Sequence, residues 1–146
     1  MKYLNEDDFN KANMFWKWIY NDKFAEFFVW NSYLNFLVKP GESPLFMANV
    51  TFEPGCRNAW HIHKAKTGWW QMLICTAWEW YLQLEWQEPQ ELKAWSIWII
   101  PPNTKHWHGA KKDSWFSHIS VEVPWEETSN EWLEKVEEEY YTSINN

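Results

Sequence analysis

Short runs in which apolar and polar residues alternate, separated by turn residues, make up most of the chain between residues 31 and 125. Side chains in an extended strand alternate faces with a period of two, so this pattern predicts half-buried strands. Ser32 to Val38 reads as a first strand and is ended by Lys39-Pro40-Gly41-Glu42. Phe46 to Glu53 reads as a second and is turned by Pro54-Gly55. The same reading places strands at Ala59–His63, Gln71–Thr76, Glu79–Glu85, Gln90–Lys93, Ser96–Ile100, His106–Gly109 and Trp115–Val123. Pro89, Pro101, Pro102 and Pro124 all fall between these strands, where a missing N–H costs no ladder bond. Short, evenly spaced strands predict an all-β sandwich or barrel.

The ends differ from the middle. Residues 1–30 mix polar and aromatic positions, with a short helical turn expected over Asn21 to Phe28, and read as an arm laid over the barrel or a neighbouring subunit. Thr128-Ser129-Asn130-Glu131 has the form of a capping box, and Trp132, Val136 and Tyr140 recur at helical spacing. This predicts a final helix from about Ser129 to Tyr141. The expected organisation is one domain: an arm (1–30), a barrel (31–125), and a C-terminal helix and tail (126–146).

Charge and composition narrow the functional classes. A net charge of −7 argues against nucleic acid and anionic membrane surfaces as partners. No apolar run has the length of a membrane span, and the first residues lack the apolar core of a signal peptide, so a cytoplasmic protein is expected. Cys56 and Cys75 are too few for a disulfide framework.

Chemistry concentrates in Trp60-His61-Ile62-His63 and His106-Trp107-His108, which hold four of the five histidines. Strand alternation aims His61 and His63 at one point, and it puts His108 on the face of His106. Neutral imidazole is the commonest protein metal ligand, so the pattern points to a metal site inside a β container.

Spacing adds specificity. Gly55 is followed by five residues, then His61-x-His63, Gln71, six residues and Trp78; Trp95 is followed by five residues, then Pro101-x-Asn103-x-x-His106. This resembles the two motifs of the cupin superfamily, with a longer gap before Gln71 and with Gln in place of Glu. Thr51-Phe52-Glu53-Pro54-Gly55, Lys105 to Ala110, and Ser129 to Glu134 are similar to small bacterial cupins that include manganese-dependent hydroxynitrile lyases and carboxymuconolactone-decarboxylase-associated cupins.

The resemblance implies a double-stranded β-helix (cupin, or jelly-roll, barrel), with His61, His63, Gln71 and His106 as metal ligands. It further implies His118 as a catalytic acid/base, with His108 nearby, and a homodimer or homotetramer. Four neutral ligands leave a divalent ion its full charge and hence strong Lewis acidity. Mixed N/O ligation suits Mn, Fe, Zn, Ni or Co, and the resemblance favours Mn. A lyase acting on a small molecule is the first reading. An Fe-dependent oxygenase or isomerase and a non-catalytic ligand binder are the alternatives.

Fifteen Trp against four Gly nearly inverts ordinary usage. Trp60, Trp107, Trp115 and Trp132 stand where these cupins accept an aromatic residue, and Trp98 fits neither group. Trp16, Trp18, Trp30, Trp69, Trp70, Trp78, Trp80, Trp86, Trp95 and Trp125 stand where glycine is expected. A gene whose UGA codons encode glycine, translated as if UGA encoded tryptophan, gives this pattern. Redesign of the sequence and natural enrichment are the alternatives.

Overall fold

A computed structural model describes residues 2–17 and 19–145. After helix α1 (Glu6–Ala12) come β1 (Ile19–Tyr20), a 3-10 helix over Asp22–Phe27, β2 (Phe28–Val29), β3 (Ser32–Val38) and β4 (Phe46–Phe52). The centre of the chain contributes β5 (Arg57–Asn58), β6 (His61–Lys64), β7 (Gln71–Trp78), β8 (Trp80–Leu84), β9 (Gln90–Leu92) and β10 (Ile97–Ile100). The last elements are β11 (His106–Ala110), β12 (Phe116–Glu122), β13 (Ser129–Trp132) and α2 (Glu138–Ile144).

Two antiparallel sheets result. One has the order β1-β3-β4-β12-β7-β10, and the other β13-β6-β11-β5-β2 with β8 and β9 attached through β11. From β9 to β13 each consecutive strand passes to the opposite sheet, as in a double-stranded β-helix. The inward residues of β7 are Gln71, Leu73, Cys75 and Ala77, all buried in strict alternation with half-buried neighbours. Phe52, Leu73, Trp80, Leu82, Ile100 and Phe116 close the interior into one apolar cluster. Polar inward residues are thereby left to the other part of the barrel.

The expected strands all form, and the turn at Asn21 to Phe28 is the 3-10 helix. Three corrections concern the ends. Helix α1 was not expected; Asn5 caps it by accepting from the N–H groups of Asp7 (2.8 Å) and Asp8 (3.3 Å). Phe9 from this helix is buried and stacks on Trp115 at 5.3 Å. The arm also adds β1 and β2 to the edges of the two sheets, so it belongs to the barrel wall.

The third correction is to the bounds of the C-terminal helix, which is present but starts later than expected. Ser129–Trp132 is strand β13, paired with β6 in the register Ser129↔Lys64 to Trp132↔His61. The ladder satisfies backbone groups that a helix would have to cap, and it stacks Trp132 on Phe27 (4.5 Å) and His61 (4.8 Å). Tertiary pairing overrides the capping box. The helix starts at Glu138, where buried Arg57 bonds the Val136 carbonyl (3.2 Å) and Glu138 (2.7 Å) and lies 4.2 Å from the ring of Tyr141.

The tryptophans divide by backbone geometry. Trp30, Trp69, Trp86 and Trp95 have φ of 65°, 53°, 65° and 74°, in the left-handed region. Trp86 and Trp95 each occupy the third position of a four-residue turn, closed by Gln87 N–H to the Leu84 carbonyl (3.1 Å) and by Ser96 N–H to the Lys93 carbonyl (3.0 Å). Gly41 and Gly55 hold the same position in the turns Lys39–Glu42 and Glu53–Cys56, with φ of 91° and 83°. Trp16, Trp70, Trp78, Trp80 and Trp125 are outside the left-handed region, so their backbone does not call for glycine. Trp18 lies outside the described residues.

Candidate metal centre

Pairing of β6 with β11 places His61 opposite His106, and the strand pleat turns His63 to the same side. The ligand atoms of His61, His63 and His106 all lie within 4.8 Å of one another, and all three residues are buried. From the facing sheet, Gln71 at the start of β7 brings its side-chain oxygen to 3.2 Å from Nε2 of His106. The four residues that the resemblance named are therefore together.

The hydrogen bonds fix which imidazole nitrogens are free. A carbonyl oxygen only accepts, so Nδ1 of His61 donates to Ala59 O (2.9 Å) and Nδ1 of His106 donates to Thr104 O (2.8 Å). In each neutral ring Nε2 is then an unprotonated lone pair facing inward. Both ring nitrogens of His63 are buried with no partner in full hydrogen-bond geometry, although Asn130, paired with it from β13, is near enough to act weakly on the ring. Burial, and next the charge of His63, holds His61 down to about 3; burial holds His63 down to about 4. Burial and the two other histidines depress His106 well below its usual value. At neutral pH all three rings are neutral, the form that binds metal.

Gln71 completes the donor set. Its amide nitrogen donates to Glu122 Oε1 (2.9 Å) and Ser120 Oγ (3.1 Å), which turns its oxygen toward His106. Two acceptors, the Gln71 oxygen and the His106 Nε2 lone pair, thus face each other at 3.2 Å with no proton between them. Such a contact is unfavourable unless a cation lies between the two lone pairs. The residues present fit a divalent ion of the N/O-loving class.

The other two histidines are on the same inner surface. His118, on β12, is buried, its Nδ1 has no hydrogen-bond partner, and burial holds it down to about 3. Its ring centroid is 4.9 Å from that of His108, which in turn is 5.9 Å from that of His61. Asn58 accepts from the His108 backbone N–H (2.9 Å) and sets its amide nitrogen 3.3 Å from the ring. Cys75 is buried, its thiol pushed up to about 12 by burial, and it does not line the cavity.

A cavity of about 390 Å³ runs from these groups outward. Its inner end carries His61, His63, Gln71, His108, His118 and Glu122, and its walls include Phe24, Phe28, Phe36 and Phe46. Glu122 is the group that the sequence reading missed. It is 8% exposed, with Oε2 accepting from Trp69 Nε1 (2.9 Å) and standing 3.7 Å from Nδ1 of His63. It follows His118 by four residues on the same strand face, so alternation alone could have found it. Burial pushes the Glu122 carboxyl up from the usual carboxylate range, while the hydrogen bonds from Trp69, Ser120 and Gln71 act the other way and favour its charged form.

The chain matches no protein-family model. It is 35% identical over 94 residues to a (R)-mandelonitrile lyase of Granulicella tundricola, a match covering 64% of this chain and 69% of the lyase. A cupin-like protein of Thermotoga maritima superposes with a TM-score of 0.80 at 31% identity, over 90% of this chain and 96% of the other. The DMSP lyase DddQ of Ruegeria pomeroyi superposes with a TM-score of 0.59 at 17% identity, over 84% of this chain and 57% of the other, a likeness of fold alone. Among the described residues no helix is long and apolar enough to cross a membrane.

Proposed function

The chain belongs to the cupin superfamily, and from that premise we propose that it is a metal-dependent lyase that cleaves a small α-hydroxynitrile. The observation that carries the reading is the pair of unprotonated acceptors, Gln71 Oε1 and His106 Nε2, facing each other beside His61 and His63. These four residues would hold a divalent ion, Mn(II) by preference, with Fe, Zn, Ni and Co as the other ions this donor set takes. When bound, the ion supplies Lewis-acid polarisation of a substrate oxygen. The 35% identical relative is a (R)-mandelonitrile lyase, which supports the reaction class.

The chain's own residues account for the rest of the chemistry. Phenylalanine walls receive an apolar or aromatic substituent, and the buried Glu122 carboxylate disfavours an anionic substrate. His118, neutral and with Nδ1 unpartnered, takes the substrate hydroxyl proton. The bond from carbon to the nitrile breaks, the carbonyl forms, and cyanide leaves with the electron pair. His118 then returns the proton, giving HCN and the aldehyde or ketone. His108, between His118 and His61, keeps the proton path within the cavity.

His118→Ala is expected to lower cyanide release from mandelonitrile by about 10²- to 10⁴-fold while Mn(II) binding is kept. Unchanged release would remove His118 from the chemistry. Iron in the purified protein, with no cyanide release, would favour the oxygenase reading instead.

Assembly is part of the same reading. On the outer face of the six-stranded sheet, across β10-β7-β12, Ile97 (59% exposed) and Ile99 (52% exposed) continue the half-buried row of Met72, Ile74, Ile119 and Val121. A second copy related by a two-fold axis would cover this apolar face. Light scattering is expected to give a dimer mass for the chain and a monomer mass for Ile99→Lys; a monomer in both would end the assembly claim.

A further inference from the structure

Glu122 has three hydrogen-bond donors converging on it, and one of them is a candidate ligand. Its Oε1 receives Nε2 of Gln71 at 2.9 Å and the Ser120 hydroxyl at 3.1 Å, and its Oε2 receives the Trp69 indole at 2.9 Å. A terminal amide has two nearly isosteric orientations, and only one points oxygen at the histidines. In the other, the amide N–H₂ would face the ligand atoms and the amide oxygen would face a carboxylate that can only accept. That second arrangement places like dipoles together in a buried site, where unmatched polar groups are costly.

We propose that Glu122 is a positioning residue that holds the Gln71 amide with its oxygen turned toward His106 and the candidate metal centre. The assignment rests on the metal site argued under Proposed function. It differs from a general packing role, because the effect of Glu122 travels through one bond to one side chain. Ser120 hydrogen-bonds to both Gln71 and Glu122 and reinforces the same orientation. Trp69, on the far side, locks the carboxylate's own orientation.

Residues that orient ligands typically cost about 10- to 100-fold in metal affinity when removed. Mn(II) binding to the full chain, read by the paramagnetic resonance of free Mn(II), is compared for the unsubstituted protein, Glu122→Ala, Glu122→Gln, Gln71→Ala and the Gln71→Ala/Glu122→Ala double variant. Glu122→Ala is expected to weaken binding by about 10- to 100-fold. Glu122→Gln keeps an acceptor oxygen for the Gln71 amide and is expected to recover most of that loss, which a pure charge effect would not. In the Gln71→Ala background, adding Glu122→Ala is expected to change affinity little, because the two residues act as one unit. Binding unchanged by Glu122→Ala, or a full loss persisting in the Gln71→Ala background, overturns the assignment and leaves the metal site standing. Failure of the unsubstituted chain to bind Mn(II) overturns the metal site and the assignment with it.

Discussion

His106→Ala is expected to abolish tight Mn(II) binding and to reduce cyanide release from mandelonitrile to the level of the metal-free chain. His106 is the candidate ligand that links the two halves of the site, paired through β11 with His61 and facing Gln71 from the other sheet. Its Nδ1 is committed to Thr104 O, so no rotation offers a substitute nitrogen, and alanine leaves a gap in the donor set. Thermal unfolding gives a second reading. Mn(II) at about 100 times its Kd stabilises a chain that binds only when folded by about 2.7 kcal/mol. The unsubstituted protein is expected to show that increase and His106→Ala to lack it. An equal increase in both would mean that the ion binds elsewhere.

Replacing Trp30, Trp86 and Trp95 together by glycine is expected to stabilise the protein. Each has φ between 65° and 74°, and their side chains are 68%, 94% and 76% exposed, so little packing is lost. A non-glycine residue in such a conformation costs on the order of 1–3 kcal/mol. Glycine gives back about 0.5–1 kcal/mol through its greater freedom in the unfolded chain. A net gain of roughly 1 kcal/mol per site raises Tm by about 10 °C for the three, at the few degrees per kcal/mol usual for a domain of this size. Trp16→Gly is the control: Trp16 is 80% exposed but outside the left-handed region, and its replacement is expected to give no increase. Trp69 is a separate case, since glycine there would relieve its φ of 53° while removing the indole bond to Glu122. Under the codon account, the gene carries UGA at all ten positions where glycine is expected, 30, 69, 86 and 95 among them; UGG at the ten would end that account. The turns Lys39–Glu42 and Glu53–Cys56, which keep glycine where Trp86 and Trp95 stand, make the comparison internal to this chain.

The barrel was legible because its signals are local and periodic. Ser32–Val38 is predicted and observed with the same bounds, and His61-x-His63 converges because the strand pleat demands it. The candidate ligands converge because Gln71 and His106 begin strands whose places are set by their pairings, with β10 and β12 for one and with β6 and β8 for the other. The ends were harder to read. Ser129–Trp132 carries a helix-start pattern, yet the open edge of β6 and the rings of Phe27 and His61 reward a strand, and nothing near in sequence reports that edge. Helix α1 is only seven residues long, too short for periodicity to register, although Asn5 before three acidic residues is a legible cap. Glu122 was overlooked because a carboxylate at a strand end reads as solvent-facing, and its hydrogen-bonded burial depends on Trp69 and Gln71 arriving from another part of the barrel beside Ser120 of its own strand.

The same dependence sets what the site can do. His118 and Glu122 share one face of β12, but only the first lacks a hydrogen-bond partner for a ring nitrogen, whereas the second is fully engaged. Under the proposed function, proton movement and ligand orientation would fall to two residues four apart on one strand.

The central claim is that His61, His63, Gln71 and His106 hold one metal ion. Crystals grown with Mn(II) and measured on either side of the manganese absorption edge test it most directly. One anomalous peak is predicted, bonded to nitrogen of His61, His63 and His106 and to the side-chain oxygen of Gln71. No peak there, or manganese bound only at other groups, would contradict the account.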